Sequence, residues 1–203
     1  YLGLALVLFA LYPAVLALNG LPVAGFFRRV WPVTTLGFAT RSSMGVMPVT
    51  QRTTEESMGV PTEYASFAIP LGATSKMDGC ASIYPAIAAI FVAQFYGLPL
   101  SFGDYVLIAL VSVLGSAATA GTTGATVMLT LTLSTLGLPL SGAGLLLAID
   151  PIIDMGRTAV NVTGQSLVAT VVAKREGILN QDVWDAAERT ERADQRAGGP
   201  DLL

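Results

Sequence analysis

The sequence predicts an all-α integral membrane protein in which spanning helices alternate with two re-entrant helical hairpins. Three observations carry that reading. The 203 residues are 53% hydrophobic and only 12% charged, with a mean hydropathy of +0.64, whereas soluble domains carry about 25% charged residues to cover a water-facing surface. Apolar runs approach the roughly 20 residues that a helix needs to cross a bilayer. Between them lie polar segments too short to be soluble domains, and polar, non-helical backbone at membrane depth is tolerated only where protein or a water-filled cavity satisfies it. The 21 glycines fit membrane helices that pack closely or break. A large apolar soluble core is the competing reading, and the shortage of charge argues against it.

Several function classes are excluded early. A net charge of −3 and the lack of a strongly basic stretch argue against nucleic-acid binding. A single cysteine, Cys80, rules out an intrachain disulfide. With no histidine, imidazole metal sites and histidine proton relays are out of reach. The apolar opening at Tyr1, without a basic region before it, reads less as a signal peptide than as a membrane helix with further sequence upstream.

Residues 1–18 form the first apolar span, which Pro13 should kink. A polar turn and the Arg28–Arg29 pair follow and read as a cytoplasmic end. From about 31 to 70 the chain is unusually polar, and a re-entrant hairpin with TRSSMG at its tip fits it best. An ordinary cytoplasmic loop is the alternative. The next apolar segment, from about 67 to 97, is interrupted by GATSKMDG, which puts Lys76 and Asp78 near mid-span. Charge at that depth is expensive and marks a candidate functional site. Residues 105–115 are apolar, GSAATAGTTGAT breaks the run, and apolar character resumes over 127–137, which predicts a second hairpin with a small-residue tip. No GK[ST] follows that loop, so a phosphate cradle is poorly supported. A last span from about 142 to 173 carries DPIIDMGRTAVNVTGQ and ends at Lys174–Arg175. This divides the chain into a membrane part, 1–175, and a cytoplasmic tail, 176–203, expected to be solvated and partly helical. Eight of the eleven basic residues fall on one predicted side of this topology, and the positive-inside rule makes that side the cytoplasm.

The last span holds the most informative pattern. At about 100° per residue, Asp150, Asp154, Arg157, Thr158, Asn161 and Gln165 fall within one arc of about 100°. Two carboxylates and a guanidinium on one stripe must face protein or an aqueous cavity rather than lipid. The bland reading is a self-neutralising i,i+3 pair of Asp154 and Arg157. Such a pair would not need Thr158, Asn161 and two interrupted hairpins nearby.

The segments TRSSMGVMPVT, PLGATSKMDGCASIY, SAATAGTTGAT and DMGRTAVNVTG, in that order and spacing, resemble the two re-entrant hairpins and the seventh and eighth helices of the glutamate transporter family, the dicarboxylate/amino acid:cation symporters. The resemblance runs to about Lys174. It implies that 1–175 is a transport domain, incomplete because the chain would start at the sixth of eight helices. It also implies a secondary active symporter rather than an enzyme, in a cell membrane such as the bacterial inner membrane, trimeric at full length, with no cofactor beyond a coupling cation. Asp154 resembles the carboxylate that holds a substrate amino group. Arg157 resembles the guanidinium that grips a distal carboxylate, a task suited to its planar fork. Thr158 and Asn161 match further substrate contacts, and Ser42 and Ser43 match the first hairpin tip, whose backbone donors meet a substrate carboxylate. Gly72, Thr74, Met77, Ser116, Ala117 and Thr119 match a cation site built mostly from carbonyl oxygens, with Asp78 as an ion-coordinating carboxylate. The second tip, 121–126, resembles the extracellular gate.

The departures from the family pattern are informative. Lys76 stands where the family usually has asparagine, and Gln165 where it usually has aspartate. An ammonium at Lys76 could occupy the place of an inner sodium ion and pair with Asp78. A second cation beside it would be repelled by several kcal/mol, on the order expected at low effective dielectric. The expectation is an inner site without sodium, with coupling by a sodium ion elsewhere or by a proton on Lys76. The alternative is that Lys76 snorkels to water. Cys80 replaces a threonine near the side-chain end of the pocket, Thr122–Thr123 replace a Val-Pro pair, and Thr126 a small glycine. Asp154 with Arg157 favours an acidic amino acid or dicarboxylate; cystine is the alternative within the family. Outside it, an anion channel or a non-transporting fragment is the rival class.

Overall fold

The computed structural model describes residues 1–116, 124–186 and 189, and every regular element among them is helical. Helix α1, Leu2–Leu18, widens into a π turn over Val7–Leu11 and returns to α geometry at Tyr12–Leu18. The expected kink therefore takes the form of a bulge. Pro13 has no N–H and its ring crowds the carbonyl four residues back, and the turn before it closes from the Tyr12 N–H to the Val7 carbonyl, five residues back. The same Tyr-Pro device recurs later in the chain.

Helices α2, Val23–Thr40, and α3, Ser43–Glu56, form a helical hairpin whose tip falls within TRSSMG, as expected. Arg41 makes the reversal in a left-handed conformation, φ 55°, which a non-glycine residue adopts only under strain. Ser42 then caps α3, its Oγ accepting the Gly45 N–H at 3.0 Å. The arms differ from the expected span: the first starts at Val23, and Gly59 (φ 73°) with Pro61 ends the second before α4, Thr62–Ser75. Lys76 and Met77 leave the helical region altogether. A π turn, Asp78–Ile83, follows and leads into α5, Tyr84–Phe95. Here again Tyr-Pro stands at the end of the π turn, with the Tyr84 N–H reaching Gly79 O. Thr62–Phe95 taken together is long and apolar enough to cross a membrane.

Helices α6, Phe102–Ser116, and α7, Gly124–Thr135, are the arms expected of a second hairpin. They pack closely, since a Cβ on Gly115 would lie 2.8 Å from the Met128 sulfur. The expected tip, 117–123, lies outside the described residues. The single last span expected from 142 to 173 is instead two helices, α8, Ser141–Leu147, and α9, Asp150–Arg175. Pro151, in the first turn of α9, cannot donate to Leu147, so the helix restarts there.

Helix α9 is the axis of the fold, buried along most of its length from Gly156 to Ala173. Helix α2 runs antiparallel to it, with Thr34 Oγ1 and Thr163 Oγ1 2.6 Å apart and Gly37 against Val162 and the Thr158 carbonyl. Helix α3 runs parallel, Thr54 bonding Ser166 and Thr170 bonding Met58, both at a sequence offset of 112. Carried back along α3, that register sets the hairpin tip at the level of Met155, beside Asp154. The broken helix α4–α5 descends along a third side, Gly72 against Gln165 and Gly79 against the backbone of Arg157.

Among the described residues after α9, where a solvated and partly helical tail was expected, one large side chain is docked on the fold. Trp184 is 1% exposed, its ring 4.3 Å from the Arg29 guanidinium carbon, and Arg29 Nη2 donates to its carbonyl at 3.1 Å. Asn180 N–H donates to Gly59 O at 2.7 Å. Trp184 joins the main apolar core and Leu179 packs against it, so burial of apolar area adds to these polar contacts in docking the segment. Arg175 bonds Asn19 at the same end, so Arg29, Lys174 and Arg175 gather together there.

Candidate functional site

The break between α4 and α5 brings Lys76 and Asp78 to one side of α9. The Lys76 ammonium is ion-paired with Asp78 Oδ2, donates to the Tyr12 hydroxyl at 3.2 Å, and lies 4.9 Å from the centre of the Tyr12 ring. Tyr12 hydroxyl contacts Asp78 Oδ2 at 2.7 Å and the Val160 carbonyl at 3.1 Å. Gly164 supplies the space, because a Cβ there would run into both the phenol and the ammonium. A lysine cation is thus held by a carboxylate, a phenol and an aromatic face, with its side chain only 21% exposed.

One turn and more toward the start of α9, Arg157 is buried to 1%. Its Nη2 contacts Asp150 Oδ1 at 2.8 Å and Asp154 Oδ1 at 2.9 Å, and its guanidinium carbon lies 4.0 Å from the centre of the Tyr84 ring. Its Nη1 is buried and has no hydrogen-bond partner among the described residues. The two carboxylates stay partly open, at 30% and 24% of side-chain area. Cys80 Sγ lies 3.7 Å from Asp154 Oδ1. Asn161 accepts the Gly79 N–H at 2.8 Å and donates to Cys80 Sγ at 3.0 Å, which ties the first residues of the π turn to α9 and satisfies a terminal donor of that turn. Asp154, Arg157, Asn161 and Cys80 are therefore one cluster.

The remaining expected residues divide by place. Thr158 is buried in the same stripe. Ser42 uses its hydroxyl as the cap of α3, and Ser43 is buried beside it. Gly72 O accepts the Lys76 N–H at 2.8 Å, Met77 O accepts the Ala81 N–H at 2.8 Å, and Thr74 Oγ1 turns back to Leu71 O. Gln165 is buried against Gly72, with neither amide atom hydrogen-bonded. Ser116 is the last residue of α6. Ala117, Thr119 and Thr122 lie outside the described residues.

Three residues of these two charged groups escaped the sequence reading as site residues. Asp150 stood on the polar stripe, and its offset of seven from Arg157, two helical turns, was the available signal. Tyr12 and Tyr84 had a subtler one: each precedes a proline in an apolar helix, and each places its ring on a basic side chain. A separate groove of about 370 Å³ between α1, α2 and α9 is lined by apolar residues such as Leu4, Phe9, Trp31 and Val160. It offers almost no hydrogen-bonding surface to a charged substrate.

This geometry can be set beside known proteins. The chain is 35% identical over 184 residues to the L-cystine uptake protein TcyP of Bacillus thuringiensis (strain Al Hakam), a match covering 89% of this chain and 39% of the relative. It is 36% identical over 194 residues to the L-cystine uptake protein TcyP of Shouchella clausii (strain KSM-K16), covering 94% and 42% respectively, and 35% identical over 183 residues to that of Bacillus licheniformis, covering 88% and 39%. The chain thus spans about two fifths of the length of these curated relatives. The model of the sodium:dicarboxylate symporter family matches residues 1–175, the part in which α9 and the broken helix carry every charged contact just described. With that match over most of its length, the chain belongs to the sodium:dicarboxylate symporter family, a family of membrane transporters.

Proposed function

We propose that this chain forms the substrate-binding part of a secondary active carrier for an amino acid bearing an ammonium and a distal carboxylate. One observation carries the reading: a fully buried guanidinium with an unpartnered Nη1, flanked by two partly open carboxylates. A buried donor without a partner costs about 1–3 kcal/mol or more when charged, and a carboxylate arriving at Nη1 would remove that cost. Asp154 is then the seat for the ammonium, and the first hairpin tip, level with it, supplies N–H groups for the α-carboxylate. A succinate-like acid without an ammonium would meet net negative charge from the two aspartates.

Acidic amino acids satisfy this pattern, and so does cystine. The naming of the relatives as L-cystine uptake proteins favours cystine. The test is substrate-induced thermal stabilisation of the purified carrier with L-cystine, L-glutamate, L-aspartate and succinate. Stabilisation by an amino acid and not by succinate supports the reading. Stabilisation by succinate alone would overturn it.

For coupling, we propose that the Lys76 ammonium serves as a resident cation on Asp78, so that no sodium ion enters there. Coupling then uses the carbonyl-rich site around Gly72, Thr74, Met77, Ser116, Ala117 and Thr119, or a proton carried by Lys76. Uptake in proteoliposomes with and without a sodium gradient tests this, and a steeply cooperative sodium dependence would exclude it. The polar tail end, where Arg29, Lys174 and Arg175 gather, faces the cytoplasm on this reading.

A further inference from the structure

Asp150 and Asp154 both meet Arg157 at Nη2, and Asp154 Oδ1 also accepts from Nε at 3.3 Å. Two carboxylates on one guanidinium leave the cluster one negative charge in excess, and uncompensated charge away from water is costly. Both contacts use Oδ1, the Tyr84 hydroxyl stands beside Asp150, and both carboxylate side chains are partly open to a further donor. The site therefore offers two anionic acceptors and, at Nη1 of Arg157, one cationic donor. Side chains four residues apart on a helix stand about 5–6 Å apart at Cβ. The two α-carbons of a disulfide-linked amino acid stand at about the same separation, 5.5–6 Å, and each bears an ammonium. Glutamate and aspartate have only one ammonium and would leave Asp150 with Arg157 and the Tyr84 hydroxyl.

We propose that Asp150 is a specificity-determining residue that receives the second ammonium of a diamino dicarboxylic disulfide, while Asp154 receives the first. This rests on the reading of the pocket as an amino-dicarboxylate site. Cys80, 3.7 Å from Asp154, places a small polarizable sulfur beside the path of the disulfide, where a bulkier group would obstruct it. A substrate zwitterionic at both ends then leaves the cluster's charge unchanged. A glutamate anion would deepen it.

The experiment is isothermal titration of the purified carrier and its Asp150→Asn variant with three probes: L-cystine, the mixed disulfide of L-cysteine with 3-mercaptopropionate, and L-glutamate. The mixed disulfide keeps both carboxylates and the S–S bond but has one ammonium. In the unsubstituted carrier it should bind at least about tenfold more weakly than cystine, as expected for loss of a charge-assisted contact. In Asp150→Asn the two disulfides should bind alike, with cystine weakened and glutamate equal or improved. Equal weakening of all three probes would reduce Asp150 to a positioning residue for Arg157 and overturn the proposal. Equal affinity of the two disulfides in the unsubstituted carrier would overturn it without any variant, which covers an Asp150→Asn protein that fails to fold. Should neither disulfide nor glutamate bind, the pocket reading itself falls, a result distinct from loss of disulfide selectivity alone.

Discussion

The Arg157 guanidinium carbon lies 4.0 Å from the centre of the Tyr84 ring, while Asp150 meets it at Nη2 and Asp154 at Nη2 and Nε. The aromatic contact and the aspartates hold the guanidinium in place while Nη1 keeps no hydrogen-bond partner among the described residues. Arg157→Lys keeps the charge but loses the plane, the stack and the second donor nitrogen. It is expected to weaken amino-acid binding by at least about tenfold, with a smaller loss in thermal stability, since a buried cation still faces Asp150 and Asp154. Tyr84→Phe keeps the aromatic face but loses the hydroxyl beside Asp150 and Arg157, so a smaller loss of binding than in Arg157→Lys is expected. Titration of both variants checks the pair.

Gly79 has no room for a side chain. A Cβ there would lie within 3 Å of the Arg157 backbone carbonyl carbon and Cα, so Gly79→Ala must push the π turn off α9. Overpacking against backbone costs about 1–3 kcal/mol. The shift would also break the Gly79–Asn161 bond of 2.8 Å and move Cys80 away from Asp154. Thermal melting should show the loss of stability, and substrate binding should fall with it. Gly115→Ala serves as a comparison: its obstruction is the far end of the flexible Met128 side chain, which can move aside, so the expected effect is smaller.

Trp184→Ala should uncouple the segment after α9 from the base of the first hairpin. Truncating a buried tryptophan costs about 3–5 kcal/mol, and the Arg29 stack of 4.3 Å goes with it. Hydrogen exchange is expected to rise at Asn180, whose N–H is held by Gly59 O, and along the start of α2. The Arg157 cluster lies at the other end of α9 and should keep its affinity, which ligand titration of the same sample would establish.

Much of this organisation was legible in the sequence. The helical stripe from Asp150 to Gln165 needed only a 3.6-residue period, and the position of charge in GATSKMDG followed from the expense of lysine and aspartate in an apolar span. The TRSSMG reversal was readable too, although nothing local to Arg41 announces a left-handed arginine, because glycine is the usual choice there. What pattern alone does not reveal is who meets whom across the fold. Tyr12 lies 66 residues from Asp78, and Arg29 lies 155 from Trp184. Those contacts depend on how α1 and the closing segment pack around α9. The restart of α9 at Pro151 is a case where the local rule was present and the apolar run disguised it.

The Lys76–Asp78 pair makes the sharpest prediction about coupling. Lys76→Ala leaves the Asp78 carboxylate, among the described residues, with the Tyr12 hydroxyl at 2.7 Å, and removing one partner of a largely buried pair costs about 3–5 kcal/mol. With side chains 21% and 30% exposed, the loss should fall toward the lower end. A monovalent cation in the medium could then recover part of it by binding Asp78. Gln165, whose amide is buried with no partner, stands beside Gly72 on the adjoining turn. Lys76→Asn combined with Gln165→Asp removes the resident cation and adds a carboxylate, so the local charge falls by two. The double variant is expected to gain thermal stability as sodium chloride replaces choline chloride at constant ionic strength, while the unsubstituted carrier shows no such dependence from this site. Stabilisation of about 2.7 kcal/mol corresponds to sodium at a hundredfold excess over its dissociation constant. A double variant indifferent to sodium would mean that Lys76 does not stand in for a metal ion.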